Sequence, residues 1–328
     1  MVSKIIEHLE QYNKEMNIKA YYDKLHTCEK TKDEMDEREF FKCLLQASIE
    51  GVKKSHNLTG GNHINIEKET DKIMKDYNVQ AELFKNYSVM VLIESWLLYK
   101  QIYSFDKDTL NLLISNEYSN LSYDELKALK MPFETIAIEN DIEYEGHILD
   151  SIFLCKKLRP KTNNILISIC AFVKVNPEDS TKLIRFDLLI GEGKSLFDEL
   201  PDDDEEAKNF ICKVMNLVLY LCQPKVDVIY KKSEKKPMKQ AMPKHFYSVD
   251  YATNEVGCRL GNAIRKYRYV YETTGEKKHT GGVKRPHTRS GHFHHYWVGK
   301  GRTDLIVKYV EPTFVLGGSK DATLHNVK

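Results

Sequence analysis

Residues 291–297 read GHFHHYW and gather three imidazoles, a phenol and an indole within seven positions. An imidazole titrates near neutrality, ligates transition metals through a ring nitrogen and stacks on bases or aromatic rings. If 292–298 is a strand, side chains alternate, so His292, His294 and Tyr296 share one face while Phe293, His295 and Trp297 share the other. Three chemistries fit that arrangement. Histidines at i and i+2 can chelate a transition metal with His287 as a third ligand, although the only nearby acid is Asp304. Alternatively, Lys284, Arg285, Arg289, Lys300 and Arg302 surround the face, and guanidinium forks beside imidazoles and a tyrosine bind phosphates, stacked bases or peptide carbonyls. In the third, the imidazoles bond neighbouring strands, Phe293 and Trp297 fill the core, and the basic residues are merely solvated. We take the binding surface as the working expectation and assign no metal, no cofactor and no catalytic residue.

Charge is unevenly spread. Residues 257–310 hold twelve Lys/Arg against three Asp/Glu, a local +9, while the whole chain carries +1, so the remainder sums to −8. A C-terminal part of that kind suits an anionic partner or an acidic peptide. Other chemistries are excluded by spacing. The stretch IGEGKSLF (190–197) resembles a phosphate loop, but Leu188 stands where the first Walker glycine belongs and Leu196 where the dinucleotide fingerprint needs its third. Ser195 and Asp198 read instead as a helix start. Neither a G-x-S-x-G elbow nor an H-E-x-x-H helix occurs. The seven cysteines are odd in number and form no C-x-x-C pair, which suggests buried thiols in a reducing cytosol. Apolar runs are too short to span a bilayer, and the amphipathic MVSKIIEHLEQ start reads as neither a signal nor a transit peptide.

The elements that must position the motif divide by period. Up to residue 130 the chain reads as a helical domain. Ile5, Leu9, Tyr12 and Met16 lie on one helical face, a second helix spans roughly 36–54, and 56–66 is a loop. A third stripe runs through Leu83, Tyr87, Met90, Val91, Leu97, Leu98 and Ile102. From 131 to 317 the period becomes two, giving an α+β domain. FETIAIE, HILDSIFLCKKL, NILISICAFVKV and KLIRFDLLIG predict three or four antiparallel strands, and PDDDEEAKNFICKVMNLVLYLCQP predicts one long helix. The acids Asp202, Asp203 and Asp204 read as caps of that helix rather than cation ligands. A basic connector (231–245) leads into a last β-region that begins EVGCRLGNAIRKYRYVYE and ends in a hairpin turning at GKGR (299–302). Residues 318–328 read as a flexible tail. The fold class expected is α+β, helical first, then a mixed and mainly antiparallel sheet with one long helix.

The C-terminal third resembles a type V-A anti-CRISPR family carried by bacterial mobile elements, of the kind that suppresses production of the CRISPR effector nuclease. The match runs through Arg259, Leu260 and Gly261, then Pro286, His287, Arg289, His292, His294, Tyr296, Trp297, Val298 and Gly299, then Tyr309, Pro312 and Val315. It covers about residues 255–317. The resemblance implies a binding protein, more a recruiter than an enzyme, working in the cytoplasm of a bacterial host. Its implied partner is the nascent effector polypeptide, with the ribosome or mRNA close by, and its implied outcome is loss of the transcript. Arg259, Lys284, Arg285, His287, Arg289, His292, His294, Tyr296 and Arg302 are then the candidate contacts for partner or RNA. Phe293, Trp297 and Pro312 are candidate packing residues. An RNA-binding protein or ribonuclease using His292 and His294 as acid and base is the alternative.

Overall fold

Helices α1 (Lys4–Glu15) and α2 (Ile18–Leu25) form where apolar residues recur every three to four positions, and Asn17 between them caps α2 by accepting the Ala20 N–H. Ile5, Leu9 and Tyr12 are buried on one face of α1, as their spacing predicts. Asp36 opens α3 (Glu37–Ser55) by accepting the Glu39 N–H, and α4 (Ile66–Ile73) and α5 (Tyr77–Tyr99) begin at Asn65 and Asp76 in the same way. The structure is a computed structural model that describes residues 3–27, 35–57, 64–116, 120–160, 162–174, 182–232, 242–274, 287–289, 292–310 and 313–315. The tail expected at 318–328 and most of the connector at 231–245 lie outside the described residues.

The third helical stripe stops sooner than its period suggests. Lys100 adopts a left-handed φ of 53°, and the chain turns into strand β1 (Gln101–Phe105). Ile102 is therefore a strand residue, and Leu98 is exposed. The buried face of α5 is Leu83, Val89, Met90, Leu92, Ile93 and Trp96, and its stop carries no glycine to announce it.

After β1 come α6 (Lys107–Ile114), α7 (Tyr123–Ala128), β2 (Thr135–Ile138), β3 (Ile142–Tyr144), β4 (His147–Arg159), β5 (Asn164–Val173) and β6 (Leu183–Ile190). Then follow α8 (Glu205–Leu221), β7 (Val228–Lys232), β8 (Ala252–Val256) and α9 (Cys258–Thr274). One sheet takes the order β6-β5-β4-β2-β1-β8-β7, with β3 paired to β4 off that path. Strands β2, β4, β5 and β6 are antiparallel as expected, whereas β1 runs parallel to both β2 and β8. The fold is α+β, and both sheet faces are covered. Ile102, Ala137, Phe153, Cys155, Cys170 and Phe172 belong to one core with α1 and α5. Their neighbours along the strands, such as Tyr103, Ile136, Ile138, Leu154 and Ile169, belong to the other with α6 and α8. Alternate residues of one strand thus serve two cores, which is why these runs are almost continuously apolar. Cys155, Cys170 and Cys212 are buried thiols, and burial pushes Cys170 up to about 12.

The long helix α8 starts as the acids before it suggest, with Asp204 accepting the Ala207 N–H at 2.9 Å. Ser195 and Asp198 form a reciprocal capping box on a short 3-10 turn, as read from their spacing. Residues 258–274 correct the sequence expectation of a β-region. Only Ala252–Val256 is a strand there, and α9 follows. Leu260 and Ile264 pack inward at i and i+4 while Arg265 and Lys266 stay exposed, a helical period that the Tyr-Arg-Tyr-Val-Tyr run masked. Two short ladders complete the chain: β9 (His287–Arg289) with β12 (Thr313–Val315), and β10 (His292–Val298) with β11 (Asp304–Val310).

Candidate functional site

The β10–β11 hairpin pairs His292 with Val310 through Val298 with Asp304 and turns at 299–303, around the expected GKGR. Gly299 and Gly301 both hold φ of 84° and Arg302 holds 54°, so the turn uses the left-handed region three times. The faces divide as alternation requires. Leu305, Val307 and Tyr309 are buried in the core beneath α8, and Phe293 packs on the Tyr309 ring at 5.0 Å between centroids. The Tyr309 ring meets Tyr220 of α8 at 5.8 Å, its hydroxyl accepts from Asn116 Nδ2 at 3.1 Å, and its backbone N–H donates to Gln223 Oε1 at 3.1 Å. His295 Nδ1 lies 2.7 Å from Glu125 Oε1. Glu125 also completes the capping box of α7, accepting from Ser122. Burial pushes the Glu125 carboxyl up, but the bonds from Ser122 and His295 outweigh it and hold the group below its usual range.

The outer face is open to solvent. His292, His294 and Tyr296 are exposed, with Tyr296 at 45%. The Nε2 atoms of His292 and His294 stand 2.8 Å apart, so one ring donates its N–H to the other. His294 stacks on Tyr296 with centroids 5.7 Å apart and planes 27° from parallel. Across the strand, Lys308 faces His294 and Ile306 faces Tyr296. Three rings therefore climb one strand in a ladder beside a lysine. Such a surface can stack on flat groups, accept or donate hydrogen bonds at neutral pH, and attract negative charge.

The other candidates fall elsewhere. Arg302 and Lys300 are exposed in the hairpin turn. Lys284, Arg285 and Pro312 lie outside the described residues, and His287 and Arg289 are described by backbone alone, in β9. Asp304 cannot complete a metal site with His292, because it sits at the far end of the hairpin and pairs with Lys130 at 3.6 Å. Among the described residues no group of three or more His, Cys, Asp or Glu is placed to hold a metal ion. Trp297 corrects the expectation of a buried indole. It points to the inner side but is 38% exposed, although Leu305 across the strand is buried.

Arg259 is exposed on α9, and the residues after it explain that segment as a docking joint. The Arg259 backbone N–H donates to Asp227 Oδ2 at 2.6 Å, starting the helix. Gly257 has φ of 74°, and its carbonyl accepts from the Thr109 hydroxyl at 2.6 Å. A Cβ on Gly261 would run into the Asp106 carboxylate, so α9 can approach α6 only as glycine there. Asp106 caps α6 and pairs with Arg265 at 3.0 Å, while Asp108 takes Arg265 at 2.6 Å and Arg268 at 3.0 Å. Those pairs hold Asp108 below the usual carboxylate range, Arg265 being the main cause. Sequence reasoning missed Asp106, Asp108, Thr109 and Glu125. The only local signal was that each stands at or just after a helix start, and their partners are over a hundred residues away.

The AcrVA2-like family, the anti-CRISPR type V subtype A2 family, matches residues 103–317, well over half of the chain. This chain belongs to that family. The matched span opens inside β1 and includes α9 and the whole hairpin. The chain is also similar to the crystal structure of AcrVA2, at 18% identity with a TM-score of 0.55, covering 96% of this chain and 100% of that one. At that identity the likeness is one of fold, and it extends to the N-terminal helices, which precede the family match. No curated protein matches the chain.

Proposed function

We propose that this member of the type V-A anti-CRISPR family lowers production of the effector nuclease. In this reading the hairpin holds the N-terminal segment of the nascent nuclease, and its mRNA is lost as a consequence. The observation that carries the reading is the division of the hairpin. Its inner face is fixed by Tyr309, Phe293 and the His295–Glu125 pair, while His292, His294 and Tyr296 face solvent beside Lys308. Rings held rigidly and left uncovered favour binding, because little entropy is lost when a partner arrives. Lys300 and Arg302 in the turn add positive charge suited to carboxylates, or to phosphates of nearby mRNA or ribosome. The protein then works in the cytoplasm of the bacterial host, where translation occurs.

Co-expression with the effector gene tests this directly. Effector transcript and protein should both fall, and His294→Ala or Tyr296→Ala should restore them. Unchanged effector levels beside the intact protein reject the proposal. The 2.8 Å contact between His292 and His294 favours a second reading, in which the pair works as acid and base on a ribose hydroxyl. Purified protein incubated with RNA, with and without chelator, decides it: intact RNA in both tubes removes the ribonuclease.

A further inference from the structure

We propose that the free edge of β11 is a strand-addition site for a short extended peptide that carries apolar and acidic side chains. The inference rests on the peptide-holding role just proposed and gives it a place and a bonding pattern. In an antiparallel pair, residues alternate between those bonded to the partner strand and those whose N–H and C=O point away. Tyr309 gives its N–H to Gln223 instead of to Phe293 across the ladder. Tyr309 therefore belongs to the outward-pointing set, and with it Leu305 and Val307. Among the described residues neither of those two amides bonds to a group outside the hairpin.

A groove of about 270 Å³ lies along this stretch of edge. Four consecutive residues, Asp304 to Val307, line it on one side, joined near the turn by Val298 of β10, and Leu129, Lys130, Cys222 and Pro224 form the opposite wall. The walls are mostly apolar, and Asp304 is the one acid lining them, already paired with Lys130. Lys225 beside the Pro224 wall and Lys300 and Arg302 in the turn are exposed. The local balance is thus positive at the flanks and apolar at the floor. A peptide backbone offers the donors and acceptors that Leu305 and Val307 lack, and carboxylates on its flanks answer the excess of cations. Gln223 closes the edge at Tyr309, which limits the added strand to two rungs and so to a short motif.

Short overlapping synthetic peptides covering the N-terminal segment of the effector nuclease serve as probes, with the full chain as the binder. Hydrogen exchange followed residue by residue should show the Leu305 and Val307 amides slowed when the binding peptide is added. N-methylation along that peptide should weaken binding roughly threefold to tenfold at alternate positions only, one backbone bond at a time. Binding that leaves both amides unprotected, or that tolerates N-methylation everywhere, overturns strand addition while leaving the peptide-holding role intact. Failure of every peptide to bind overturns both. If the two amides are already protected without peptide, sedimentation identifies the occupant as a second copy or a segment of this chain, and either result overturns the proposal.

Discussion

Gly261→Ala would place a methyl group where the N-cap of α6 already stands. Alanine is favoured over glycine inside a helix by about 1 kcal/mol, so on α9 alone the change should stabilise. Opposing it, the new Cβ would lie inside contact distance of Asp106 Oδ1 and Cγ and 3.0 Å from Oδ2. Asp106 cannot swing aside freely. Its Oδ1 accepts the Asp108 N–H at 3.0 Å, and both of its oxygens bind Arg265. Moving it forfeits a cap worth about 1 kcal/mol, and shifting α9 instead costs about 1–3 kcal/mol as overpacking does. The net expectation runs from about zero to a loss of about 2 kcal/mol, read as an unchanged or lower Tm and urea midpoint at constant m-value. Asp106→Ala alone should cost about 1 kcal/mol as a lost cap. In the double variant the obstruction is gone, so its loss should fall short of the summed single losses by about 1 kcal/mol or more. A single Gly261→Ala that melts higher than the parent, or a double variant that is simply additive, refutes the joint between α6 and α9.

Three further outcomes can be measured. His294→Ala and Tyr296→Ala should leave Tm within about 1 °C of the parent, because exposed substitutions change stability by no more than roughly 0.5 kcal/mol, yet both should abolish the fall in effector protein seen on co-expression. Trp297→Ala should cost less than the roughly 3–5 kcal/mol of a fully buried indole, since a substantial part of the ring already meets water; a loss of that full size in urea would place it in the core after all. The folded carboxyl of Glu125 titrates below the ordinary range of a glutamate, so its stabilisation is present above that range and is lost as pH falls through the lower, folded value. Stability measured across that acid window should therefore fall less steeply in Glu125→Gln, and identical slopes would show that Ser122 and His295 do not hold the carboxyl down.

Much of the fold was legible because strong periods dominate. The strands at β2, β4, β5 and β6 and the helix α8 were readable from β-branched runs and a capped apolar stripe. What escaped depended on partners distant in sequence. Helix α9 looks like strand from its tyrosines and valine, and only the joint with α6 makes sense of Gly257 and Gly261. Strand β1 hides behind α5 because a lysine, not a glycine, supplies the left-handed stop. Within the hairpin, alternation alone separated His292, His294 and Tyr296 from Phe293 and His295, and the exposures follow it. It failed for Trp297, whose ring is 38% exposed although its cross-strand partner Leu305 is buried. Glu125, the partner of His295, could not have been found from spacing, being 170 residues away.

A two-stranded ribbon is marginal in water by itself, so the hairpin must borrow its order. It does so from its inner side: Leu305, Val307 and Tyr309 enter the main core, and Glu125 of α7, Asn116 after α6 and Gln223 after α8 anchor it. That attachment leaves an edge on β11, which in an ordinary domain invites chains to pair at random. The edge here is guarded at both ends, by Gln223 at Tyr309 and by the Lys130–Asp304 pair near the turn, and Lys308 stands on the outer face between them. What remains open is a two-residue window, too short to nucleate a sheet between copies yet long enough to read a short backbone. The same attachment fixes the strand that carries the outer rings, which also bond and stack on one another. Their strand is already fixed from below, so a partner meets them pre-shaped, and changes on this face alter affinity without loosening the fold.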